Sequence, residues 1–186
     1  MQAIRLSGSF LVATPILQDG VFDKSLILLC EHNDQGALGL VVNKPLSLSL
    51  ADLMQQAGIP PGDSAMKHAP VFFGGPVQVE RGFVLHETGT LWKSTILVEH
   101  GLAVTVSRDI LEAMSRSEGP KQSLVALGYS GWGPGQLESE ISRSAWLVLP
   151  ADKALIFDTP PEERLSAALA KVGVSWDLLS QGEGHA

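Results

Sequence analysis

Residues 25–45, SLILLCEHNDQGALGLVVNKP, constrain the fold more than any other stretch. Leu26, Ile27, Leu28, Leu29 and Cys30 follow one another without a polar interruption. A strand that is apolar on both faces has to be covered on both, so this segment belongs in the middle of a sheet. Asn33, Asp34, Gln35 and Gly36 then supply a turn, because Asn and Asp bond their own backbone and glycine is free to take positive φ. The second apolar run, residues 37–42, returns antiparallel and stops at Asn43-Lys44-Pro45. With a four-residue loop, His32 pairs with Ala37, which carries Cys30 to a place opposite Gly39. Alternation along a strand then puts Cys30 and His32 on one face and Glu31 on the other.

The rest of the chain is consistent with one core. Its 186 residues are 45% hydrophobic and 18% charged, the balance of a folded globular protein. We read residues 1–186 as a single domain, with room for two packed lobes that meet at the proline-rich loop 59–70. A net charge of −7 argues against a phosphate-binding surface, so direct nucleic-acid binding is not expected. The single cysteine cannot close an internal disulfide. No apolar window approaches the ~18 residues that cross a bilayer. The apolar stretch from Phe10 follows Ser7-Gly8-Ser9 and ends at Pro15, unlike an export signal. The expectation is a cytoplasmic protein without membrane contact.

Short apolar runs at 10–13, 71–73, 82–86, 95–98, 102–106, 124–128 and 145–149 read as further strands. Asp19-Gly20 reads as a turn and residues 180–186 as a frayed tail. Ser49 with Asp52 opens a helix whose stripe is Leu50, Leu53, Met54 and Ala57. Ser107 caps a second helix carrying Ile110, Leu111 and Met114, and residues 136–143 form a third. Thr159-Pro160-Pro161-Glu162 reads as a capping box for the last, with Leu165, Ala168, Leu169 and Val172 buried. The fold class is α+β, a mixed and mainly antiparallel sheet with about four flanking helices.

Three groups of residues invite chemistry. Cys30 with His32 or His86 would make a thiolate and imidazolium pair, the first two with Cβ atoms roughly 6.5–7 Å apart. Against this stands the apolar strand around the thiol, which raises its pKa and makes Cys30 a buried small hydrophobe. His32, His86 and His100 each end an apolar run but lack zinc-ligand spacing, so no metal site and no cofactor are expected. Gly128-Tyr129-Ser130-Gly131-Trp132 resembles a nucleophile elbow with its second glycine one place early. As a phosphate cradle the same stretch lacks a lysine, loses an amide at Pro134 and meets Glu138 and Glu140. The turn residues Asn33, Asn43, Lys44, Arg81, His86, Tyr129, Trp132 and Gln136 are the candidates for one binding surface.

Ordered blocks along nearly the whole chain resemble the YqgE/AlgH family of bacterial proteins. They are residues 9–15, Cys30-Glu31-His32-Asn33, residues 39–45, Phe73-Gly74-Gly75-Pro76-Val77, residues 81–86, Gly128 to Trp132, Gly135-Gln136-Leu137-Glu138 and Phe157-Asp158-Thr159-Pro160. The resemblance implies an α+β fold with bifurcated, coiled sheets and brings a transcriptional-regulator label. It implies no catalytic residues; family members often carry alanine at the place of Ser130, and some lack the cysteine. No helix-turn-helix or basic recognition helix accompanies the label here, so regulation would be indirect. The expected function is therefore a non-enzymatic binding or regulatory protein with a small molecule or a protein as partner. The alternative is a thiol-dependent enzyme or redox protein using Cys30 with His32 or His86.

Overall fold

In the computed structural model β2 (Leu26–Asn33) is buried on both sides, as its unbroken apolar run requires. The structure describes residues 5–17, 20–62 and 65–181. Asp19 of the expected turn, Asp63 and Ser64 of the loop 59–70, and the tail beyond Gln181 lie outside the described residues. The other strands are β1 (Ser9–Ala13), β3 (Gly36–Val41), β4 (Pro45–Ser49), β5 (Pro70–Phe73), β6 (Val77–Glu87), β7 (Thr95–Val98), β8 (Leu102–Thr105), β9 (Ser123–Trp132) and β10 (Trp146–Pro150). The helices are α1 (Leu50–Gln56), α2 (Arg108–Ser115), α3 (Gln136–Ser142), α4 (Lys153–Phe157), α5 (Pro161–Ala170) and α6 (Trp176–Gln181). Six described helices replace the expected four or so. The 5-residue α4 and 6-residue α6 are too short for a helical period to show.

The strands run in the order β10-β1-β2-β3-β9-β6-β8-β7, with β4 and β5 as a branch. The pairings are antiparallel except that of β5 with β9. The sheet forks at β9. Its first half lies between β6 and β5, and its second half pairs with β3. One face buries Phe10, Val12, Leu28, Cys30 and Leu40 against Leu155, Ile156, Ala168 and Leu169 of α4 and α5. The other buries Leu11, Ile27, Leu29 and Val41 with Trp132, Leu137 and Trp146. Each such aliphatic side chain contributes about 1.5–3 kcal/mol by leaving water. Among the described residues no helix is long and apolar enough to cross a membrane.

The hairpin register is corrected by one residue. Leu29, not Cys30, lies opposite Gly39, whereas His32 does pair with Ala37. The ladder shifts between Leu29 and Glu31, so Cys30 is the extra residue of a β-bulge. Cys30 and His32 consequently do not share a face. Cys30 belongs to the cluster with Phe10 and Leu28, and His32 lies opposite Ala37 on the face of Leu137. Glu31, opposite the part-buried Leu38, is turned onto the cysteine's face.

Strand β9 also corrects its expected end at Gly128, since it continues through Tyr129, Ser130 and Gly131 to Trp132. Gly128 adopts φ +77°, and a β-carbon there would meet the Gly75 carbonyl oxygen at 2.3 Å. Two backbones cross at this point with no room for a side chain. At the helix ends, Ser49 and Asp52 form the expected capping box, with Asp52 N–H donating to Ser49 Oγ at 3.1 Å. Thr159 does not cap α5: Pro160 holds that place, and the threonine hydroxyl donates to the Ala154 carbonyl at 3.0 Å. Val172, expected in the buried stripe of α5, is 43% exposed.

Candidate functional site

The bulge at Cys30 decides what happens at the hairpin tip. On its side of the sheet His32 is buried, with Leu6 N–H donating to its Nδ1 at 3.1 Å. That nitrogen is therefore an acceptor, and Nε2–H donates to Glu138 Oε1 in the first turn of α3. Both ring nitrogens are engaged, so His32 ties the chain before β1 and the start of α3 to β2. Hydrogen bonding from His32 holds the Glu138 carboxyl below its ordinary value. A depressed folded pKa stabilises above the unfolded value of 4.5 and is lost as pH falls through the folded value. Glu138 is 49% exposed, so the contribution is modest, about 0.5–1 kcal/mol. Urea midpoints of wild type and Glu138→Gln should differ at neutral pH and converge on the acid side; curves that stay parallel would show that the pair does not stabilise the fold.

Two hollows flank the tip and share Asn33. The smaller, about 440 Å³, is lined by Glu31, Leu38, Val77, Tyr129, Gly131 and Trp132 beside the turn. The larger, about 1140 Å³, lies on the His32 side between Arg5, Asp34, Glu138, Ile141 and Val148. Tyr129 sits edge-on to Phe83, and Trp132 edge-on to Trp146, with ring centroids 5.7 and 5.6 Å apart. The aromatic walls are thus held by the core. Among the described residues no three His, Cys, Asp or Glu side chains are grouped to hold a metal ion.

The AlgH-like family model matches residues 10–177. The chain belongs to this family. A UPF0301 protein of Nitrosospira multiformis is 51% identical over 186 residues, covering 100% of both chains. One from Methylococcus capsulatus is 51% identical over 180 residues, 97% of this chain and 96% of that protein. The solution structure of the AlgH protein from Pseudomonas aeruginosa superposes with TM-score 0.82 at 46% identity, covering 100% of this chain and 98% of that one. A crystal structure from Corynebacterium diphtheriae, 19% identical, shares the fold at TM-score 0.74 over 97% of this chain and 94% of that one.

Within this AlgH-like chain the residues expected to share one surface divide. Asn33, Tyr129 and Trp132 meet at the smaller hollow. Gln136 sits beside it but braces its own turn, accepting from Gly133 N–H at 2.9 Å and donating to Glu140. Asn43 and Lys44 lie at the far end of β3, where Asn43 accepts from Leu26 N–H and Lys44 donates to the Asp23 carbonyl. Burial lowers the Lys44 pKa. Arg81 projects from β6, hydrogen-bonded to Gln78 and stacked over Phe83.

The candidate reacting groups are committed elsewhere. The Cys30 thiol is buried, donates to the Leu28 carbonyl and has its pKa pushed up by desolvation and by Glu31. His86 is buried and donates from Nδ1 to the Glu87 carbonyl at 2.7 Å. Its Nε2 therefore accepts from the Thr105 hydroxyl at 2.8 Å, and burial lowers its pKa. Ser130 is buried and donates to the Gly74 carbonyl at 3.2 Å, which ends the elbow analogy. Reading the sequence missed Glu31 and Gly131, which the bulge and the continued β9 bring to the hollow. Glu138 enters the sequence reading only as a charge that opposes a phosphate, because its counterpart, His32, is 106 residues away.

Proposed function

We propose that this AlgH-like protein is a cytoplasmic, non-enzymatic binding protein that engages a small ligand or a protein partner with the β2–β3 tip. Any effect on transcription runs through that partner. One contrast supports this reading. The thiol, hydroxyl and imidazole groups that catalysis would recruit are buried and hydrogen-bonded within the fold, whereas Glu31, Asn33, Gln35 and Tyr129 collect around an open hollow.

Site-specific photo-crosslinking tests it. A benzophenone amino acid replacing Gln35 should give a discrete adduct in cells, and the same residue replacing the exposed Lys121 should not. Equal labelling from both positions, or none from position 35, would sink the proposal. The same reading expects Cys30 to resist a thiol reagent until the protein unfolds; rapid native labelling would restore the thiol-enzyme alternative.

A further inference from the structure

We propose that the smaller hollow receives a lysine or arginine side chain from an extended segment of a partner protein. This rests on the tip being the binding surface, and it names the partner's chemistry. The starting observation is the bulge at Cys30. Without it Glu31 would point to the other face of β2; with it, Glu31 stands opposite Leu38 on the face that carries Tyr129. Bulges recur where a strand must re-aim a side chain. Here the re-aimed side chain is a carboxylate that shares the hollow with Leu38, Val77 and Tyr129 on one hand and Asn33 and Gln35 on the other.

A cross-strand row then runs from Glu31 through Leu38 to Gly131, and Val77 pairs with Tyr129 beside it. Gly131 leaves the notch open: a β-carbon there would come within 3.1 Å of Tyr129 Cε2. Glu31 is exposed, and among the described residues it makes none of the ion pairs and no basic side chain lines the hollow. A cation seated there meets the carboxylate and the tyrosine ring together. Its methylene stem packs on Leu38 and Val77. The net charge of −7 draws a basic segment toward the surface.

The neighbouring strand favours a peptide over a free polyamine. Between Val77 and Gly82 the β6 ladder slips, and residues 77–81 are all exposed. Val79 is 51% exposed. Val77 at the hollow and Val79 beyond it on the same strand offer apolar contact to residues next to the cation, which a polyamine would leave unused. A hollow of about 440 Å³ suits one long side chain with its flanking backbone.

Selection of random peptides displayed on phage, with the full chain as bait, tests the inference without presupposing a sequence. Enriched peptides should carry Lys or Arg next to Val, Leu or Ile. Resynthesised, they should bind Glu31→Gln about tenfold more weakly or worse, and selection on Glu31→Lys should turn to acidic peptides. Both substitutions are at an exposed position, and unchanged melting temperatures would confirm intact folding. Peptides without a basic preference that still compete at the tip would overturn the inference and leave the binding function standing. Basic peptides indifferent to Glu31→Gln, spermidine competing as well as the peptides, or no enrichment would overturn it too. Failure of binding at the tip itself is read separately, by the crosslink at position 35.

Discussion

Gly128→Ala should destabilise the protein by about 3–5 kcal/mol, a large part of the ~5–15 kcal/mol that holds a domain together. Two costs combine. A residue with a β-carbon at φ +77° pays about 1–2 kcal/mol for the left-handed conformation. The new carbon would also lie 2.3 Å from the Gly75 carbonyl oxygen, and that atom belongs to backbone that cannot swing aside. Relief requires β9 to part from residues 74–76. That movement would break the bond from Gly74 N–H to the Leu127 carbonyl at 2.8 Å and the one from the Ser130 hydroxyl to the Gly74 carbonyl at 3.2 Å. Gly82→Ala is the matched control, since a β-carbon there meets nothing within 4 Å. It should change stability by less than about 1 kcal/mol. Urea unfolding of both variants decides the point: similar midpoints would mean that the crossing at Gly128 is not tight.

What the sequence revealed follows from how local each cause is. The apolar run of β2 and the Ser49–Asp52 box are set by adjacent residues, and both are found as expected. The bulge at Cys30 leaves no mark in a run of apolar letters, so plain alternation sets Cys30 opposite Gly39 and on the same face as His32, neither of which the structure shows. Gly128 to Trp132 looks like a turn because glycine is abundant there. Its true reason is tertiary: Gly128, with Gly74 and Gly75 facing β9, lets the strand pass the 74–76 backbone and reach β3. At the candidate site, Asn33, Tyr129 and Trp132 were legible as turn residues and aromatics, and they do meet. Asn43 and Lys44 carry the same chemistry but spend it on the Leu26 amide and the Asp23 and Lys24 carbonyls.

Arg164 is the residue that helical patterning hides most completely, and its removal carries the second large expected effect. It lies on α5 one place before the apolar pair Leu165 and Leu169, yet only 6% of it is exposed. The guanidinium donates to the Val42 carbonyl at 2.6 Å and the Thr159 carbonyl at 2.8 Å, and stacks 5.1 Å from the Phe72 ring centroid. Burial pushes its pKa down to about 10, so the charge is kept against a desolvation penalty. Arg164→Met removes that penalty together with both donors, leaving two carbonyls without them. The balance should be a loss of about 2–4 kcal/mol. Arg164→Lys, with one nitrogen for two diverging carbonyls, should recover part of it. Because the side chain ties α5 to the chain leaving β3, hydrogen exchange in Arg164→Met should quicken across α5 before it does in β2. Uniform acceleration across both would show that Arg164 supports the whole core instead of this one attachment.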